Sequence, residues 1–234
     1  MSKLVSEFER LYLLQGQNEL QIDGSAASRL LCLALAAKDW PAAETLMQAL
    51  PEDLELPLPA LSVDGEGFRL WLSFAEVIDA TTGARFAAEL RQRYLPEMPA
   101  ERLRILTGQL ALPPSPLDDD GERWAAFIDP GMGSLFVDDP SLDFSPNPGQ
   151  QAELLAGFTS IPVRAFAQAL ARLEAANTET AGEKPTAAVY LPETAKTIGA
   201  YSDPKSFLLA VMNEPGVPLA QRIEAAKALL PYAD

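Results

Sequence analysis

The stretch VDGEGFRLWLSF, residues 63–74, sets two glycines ahead of a run that carries a cation, Arg69, and a tryptophan, Trp71. Such a pair is compatible with a turn that handles phosphate, and equally with a hairpin whose glycines supply positive φ. Three adjacent aspartates, Asp118, Asp119 and Asp120, have the ligand type for a divalent cation, although neighbouring loop acids are ordinarily solvated. DPGMG (129–133) is too short and too acidic for a phosphate loop, which wants several backbone amides and usually a lysine. Cys32 lies in the apolar run LLCLALAA (30–37) and reads as a core thiol. The chain has no histidine, which excludes imidazole acid–base catalysis, Ser-His-Asp triads and most zinc sites. No complete catalytic or metal-binding motif remains. The expectation is a non-enzymatic protein with no catalytic residue, no metal and no cofactor.

The elements that would position these residues follow from periodicity. Residues 3–14 carry Leu4, Phe8, Leu11 and Tyr12 on one helical face. Residues 26–50 read as a helical hairpin, with Ser25 as N-cap and Pro41 in the first turn of its second helix. LPALSV and GFRLWLSFAEV read as strands joined by DGEG. In the second strand Phe68, Leu70, Leu72 and Phe74 point one way, and Arg69, Trp71 and Ser73 the other. A helix over 80–95 buries Phe86, Leu90 and Tyr94, and ERLRILTGQLAL returns as strand. The order β-β-α-β predicts an α+β fold with a small sheet flanked by helices. Residues 124–149 read as a loop over the sheet, followed by two helices, QQAELLAGF and PVRAFAQALARLEAA. The expected organisation is a helical segment over 1–55, an α+β domain over 56–176, a linker over 177–186 and a C-terminal helical hairpin over 187–234. The apolar seam of that hairpin, Phe207, Leu208, Val211, Met212, Ile223 and Leu229, with Arg222 beside it, is the expected surface for a protein partner.

Lys and Arg number 18 against 33 Asp and Glu, a formal net charge of −15. Such a surface repels polyanions, yet Arg69, Arg85, Arg91, Arg93, Arg102 and Arg104 are concentrated enough to suggest a local basic face for nucleic acid, with Trp71 among them. No apolar run approaches the ~20 residues that span a bilayer, so no membrane role is expected. The N-terminal stretch is an acid-bearing helix pattern unlike a signal peptide, so the cytoplasm is the expected compartment.

Two resemblances follow from quoted residues. Residues 63–112 resemble the second half of the palm of archaeo-eukaryotic-type primases carried by bacterial mobile elements: Gly65 and Gly67 match the family's glycines, and Trp71 its aromatic. Arg69 stands where that family has a nucleotide-binding histidine, and helices are expected where the family carries an acidic metal dyad on an earlier strand. The resemblance therefore implies a palm without polymerase chemistry, since two-metal phosphoryl transfer needs its carboxylates. Residues 203–232 are similar to a helical segment of phage proteins of the terminase-small-subunit type, without the histidine that follows Pro-Tyr there. Together these imply an accessory protein of a phage or mobile element acting through protein contacts. The alternatives are a nucleic-acid-binding protein with an inactive palm, and an acidic mimic of DNA that blocks a processing or defence enzyme.

Overall fold

A computed structural model describes residues 2–14, 21–22 and 27–183, together with Leu208, Ala226, Lys227 and Leu229. The chain divides into two compact units, Met1–Lys184 and Pro185–Asp234. The first is an α+β fold. Its elements in chain order are α1 (Lys3–Leu11), β1 (Gln21–Ile22), β2 (Ser28–Ala36), α2 (Trp40–Glu52), β3 (Ala60–Val63), β4 (Gly67–Ile78), α3 (Ala80–Tyr94), β5 (Arg104–Leu106), β6 (Gly108–Gln109), β7 (Ser115–Pro116), β8 (Trp124–Ile128), α4 (Pro148–Ala156) and α5 (Val163–Glu183). The main sheet has the order β5-β2-β4-β3-β8-β7, and its neighbouring strands pair antiparallel. The expected β-β-α-β unit is present as β3, β4, α3 and β5.

Both faces of this sheet are covered. On one, Leu31, Leu33 and Leu35 of β2 and Phe68, Leu70, Leu72 and Phe74 of β4 pack with residues of α2, α3 and α5. Phe166 of α5 closes this core by edge-on contacts with Phe74 (5.0 Å) and Phe86 (5.1 Å). On the other face, Leu30, Cys32, Trp71 and Phe127 pack with residues of α1 and α4.

Double coverage accounts for two corrections. The first half of the expected helical hairpin is a strand, β2, because an inner strand buried on both faces shows a continuous apolar run without polar alternation. The N-terminal segment is therefore part of the sheet domain and no separate helical unit. The aromatic stretch expected to be a loop likewise contributes β8, whose WAAFI lies between β3 and β7. Residues 37–39 and 53–59 are the breaks that turn the chain, and Pro41 sits in the first turn of α2 as expected.

Beyond Ala125, β7 no longer borders β8. There the side-chain amide of Gln151, on α4, takes the place of a strand. Its Nε2 donates to the Phe127 carbonyl at 2.9 Å, and its Oε1 accepts from the Phe127 N–H at 2.8 Å. Gln151 is 7% exposed, so both backbone groups are satisfied where water has little access.

The linker expected over 177–186 also changes. α5 continues through Glu183, and Asn177 is buried, its Nδ2 donating to the Glu89 carbonyl (3.0 Å) and to Glu89 Oε2 (2.5 Å) on α3. A polar residue ends up in a helix core because α3 offers it partners. In the second unit Leu208 and Leu229 are helical, Leu229 buried and Leu208 half-buried. Phe207, Val211, Met212, Arg222 and Ile223 of the expected partner seam lie outside the described residues.

Candidate functional site

The glycine pair at 65 and 67 makes the β3–β4 hairpin. Gly65 has φ +84°, which a side chain rarely adopts. Gly67 is required for a different reason: a Cβ there would lie 2.2 Å from the Leu35 carbonyl oxygen across the sheet. The amides that a phosphate would need are already taken. Asp64 Oδ1 accepts from the Glu66 N–H (3.0 Å) and the Gly67 N–H (2.9 Å), and Asp64 Oδ2 accepts from Arg69 Nε at 2.5 Å. A carboxylate fills the place of an anionic ligand. The turn is structural.

The arginines do not assemble into one basic face. Arg69 and Arg104 both pair across the sheet with Ala34 and so project on the Cys32–Trp71 side, whereas α3, bearing Arg85, Arg91 and Arg93, packs on the opposite side. Most are also engaged. Arg85 pairs with Glu174 (3.1 Å), Arg104 with Glu66 (3.4 Å) and Arg102 with the buried carboxylate of Asp39. Arg91 donates to the Met98 carbonyl at 2.9 Å. Trp71 is 1% exposed, its Nε1 donating to Ser62 Oγ (2.8 Å), so it has no free face on which a base could stack.

Arg93 lines a cleft of about 420 Å³ with Glu52, Asp53, Tyr94 and Arg172. Arg172 donates to the Asp53 carbonyl (2.8 Å) and to Glu55 Oε1 (3.3 Å). The Tyr94 phenol is pushed up to about 12, first by burial and then by the nearby Asp53 carboxylate. Charges of both signs meet across this cleft, and the Tyr94 hydroxyl is hydrogen-bonded to the Asp53 carboxylate. Cys32 stands apart in the core, its thiol pushed up to about 12 chiefly by burial. A thiol held protonated there is inert. Of the aspartate triplet, Asp118 is engaged in its own turn, accepting from the Glu122 and Arg123 N–H groups at 2.9 and 3.1 Å. Among the described residues no group of His, Cys, Asp or Glu is arranged to hold a metal ion.

One surface stands out that residue types alone did not indicate. Residues 129–144 form a strap that opens with a 3₁₀ helix, Pro130–Phe136, capped by Asp129, which accepts from the Gly131 N–H. In this helix residues three apart eclipse. Gly133 and Phe136 face inward, Gly133 so tightly against Trp40 that a Cβ would meet its ring at 1.9 Å. Met132 and Leu135 share another side and face solvent, 48% and 72% exposed. Further along, the Pro140 carbonyl accepts from the Gly65 N–H (2.7 Å) and Leu142 exchanges two hydrogen bonds with Trp124, before Phe144 emerges 67% exposed. The strap is thus pinned at several points while it presents large apolar side chains. The available sequence signal was the alternation of turn formers with isolated large hydrophobics between 129 and 144.

The region before the hairpin, expected to be helical, contains the strand β2, whose sequence, SRLLCLALA, has no carboxylate. No family model matches the chain, and no curated protein matches it significantly.

Proposed function

We propose that this chain is a non-enzymatic binding protein that acts through protein–protein contacts, with the strap at 129–144 as its contact surface. The observation that carries this reading is the side of the 3₁₀ helix formed by Met132 and Leu135, held outward on a segment whose inward side is locked against Trp40. Isolated exposed hydrophobics are common on protein surfaces. A pair eclipsed on a pinned helix differs, because a partner covering it has little conformational entropy to overcome. Covering Leu135 and Met132 would contribute about 1–2 kcal/mol each. The carboxylate partners of Arg69, Arg85, Arg102 and Arg104 weigh against nucleic acid as the ligand. An origin in a phage or mobile element is supported by the resemblances of residues 63–112 and 203–232, and mimicry of DNA by net charge alone.

The test is site-specific photocrosslinking in the native host, with the photoreactive residue at 135 and, as a control, at the exposed Glu122. Adducts to a defined protein at 135 and not at 122 are expected. Equal labelling at both positions, or none at 135, refutes the reading.

A further inference from the structure

We infer that the strap docks a cationic amphipathic segment of its partner, one that joins an apolar face to a lysine- or arginine-rich one. This inference rests on the protein-contact reading above and adds the chemistry of the partner.

Three observations converge. The apolar side of the 3₁₀ helix, Met132 and Leu135, is the part that would seat apolar side chains. Along the strap itself the exposed charges are of one sign: Asp129 opens the helix, and Asp138, Asp139 and Asp143 follow it. From Trp124 through Val163 the sequence contains no lysine or arginine. The nearest cation in sequence, Arg123, is bound to Asp139 at 2.9 Å, and among the described residues Asp129, Asp138 and Asp143 have no ion-pair partner. An apolar side flanked by carboxylates matches a helix with leucine-like residues on one face and cations at its borders. A second copy of this chain would bring the same carboxylates against these, so self-association through the strap is opposed by charge. Neutral apolar partners would gain the apolar contact and none of the attraction.

The experiment uses the full chain and three synthetic peptides of about 18 residues, long enough for several helical turns. One carries a Leu/Lys amphipathic pattern, one the same pattern with Glu for Lys, and one a Lys/Ser pattern with the charge and no apolar face. Binding is read by fluorescence anisotropy in the wild type and in the double variant Met132→Ser, Leu135→Ser, whose side chains are exposed enough for the fold to tolerate them. The Leu/Lys peptide should bind tightest and lose roughly tenfold in affinity in the variant. The Lys/Ser peptide should bind weakly and equally to both proteins. The inference is overturned if the Leu/Glu peptide binds as well as the Leu/Lys one, if the double variant changes its affinity less than about twofold, or if light scattering shows a dimer that the variant dissolves. The photocrosslinked partner separates this failure from that of the broader reading. Adducts at 135 on an acidic or neutral partner segment sink the cationic partner and leave protein contact intact, whereas the absence of adducts sinks both.

Discussion

Replacing Gln151 tests whether one side chain substitutes for a missing strand. In Gln151→Ala the Phe127 N–H and C=O both lose their partner, and Phe127 is itself 2% exposed. An unsatisfied buried polar group costs about 1–3 kcal/mol, so the two together predict a loss of about 2–6 kcal/mol, at the lower end if water enters the vacated space. That is a large fraction of the ~5–15 kcal/mol by which domains are stable. Gln151→Glu sharpens the test through pH. A protonated glutamic acid can donate to the Phe127 carbonyl and accept from its N–H as the amide does, whereas a carboxylate faces that carbonyl with no proton. Burial therefore raises the folded-state pKa above the unfolded value of about 4.3. With more protons bound in the folded state, stability relative to wild type is retained below about pH 4.3. It then falls as pH rises toward the folded-state value, by at most about 1.4 kcal/mol per pH unit. Urea denaturation followed by tryptophan fluorescence, between pH 4 and 8 and always against wild type, measures both effects. An alanine variant within about 0.5 kcal/mol of wild type, or a glutamate variant whose deficit does not change with pH, would refute the strand-substitute argument.

Gly133→Ala should destabilise by about 1–3 kcal/mol, because a Cβ would enter the Trp40 ring and either the 3₁₀ helix or the indole must move; thermal unfolding by circular dichroism measures it. Cys32 should resist iodoacetamide in the folded protein even at alkaline pH and react fully in urea, since its thiol is buried and pushed up to about 12; rapid alkylation of native protein would contradict that burial. A chain ending at Ala176 should melt below one ending at Lys184, because the shorter one loses Asn177 and both of its bonds to Glu89; equal melting temperatures would show that the end of α5 contributes nothing to the sheet domain.

The parts of the fold legible in the sequence were those with an exposed or polar side to mark the period. β4 alternates Phe68, Leu70, Leu72 and Phe74 with Arg69, Trp71 and Ser73, and α3 sets Phe86 and Leu90 against a row of charges. β2 had no such marker. Leu31, Leu33 and Leu35 face one core while Leu30 and Cys32 face the other, so every position from Leu30 to Ala36 is apolar and the Leu/Ala content favours helix on propensity. The end of α5 was obscured the opposite way: NTETAGE looks like linker until Glu89 of α3 supplies partners for Asn177. The arginines misled for a related reason. Their charge is visible in sequence, but what neutralises it is distant along the chain: Asp39 for Arg102, Glu174 for Arg85. The strap was hidden because exposure of Leu135 depends on Gly133 docking on Trp40, a tertiary contact.

How the arginines are used bears on what the surface can bind. Arg10 donates to the carbonyls of Leu155 (2.9 Å) and Phe158 (2.9 Å) at the end of α4. Arg29 donates to those of Arg10 (2.9 Å) and Leu13 (3.2 Å) at the end of α1, and Arg172 to that of Asp53 after α2. The last carbonyls of a helix lack intrahelical partners and carry the negative end of its dipole, so a guanidinium there supplies both hydrogen bonds and charge. In a chain already short of cations, 18 against 33 acids, each arginine committed to a helix end is one fewer to balance a surface carboxylate. The strap is one place where that shortage is felt, with Arg123 bound to Asp139 and Asp138 and Asp143 exposed beside it. For the partner proposed above, the sequence signal would be the stretch from which cations are missing, more than the stretch where arginines gather. A cationic segment reaching the strap would meet a field that the chain's own arginines, tied to helix ends and carboxylates elsewhere, do little to cancel.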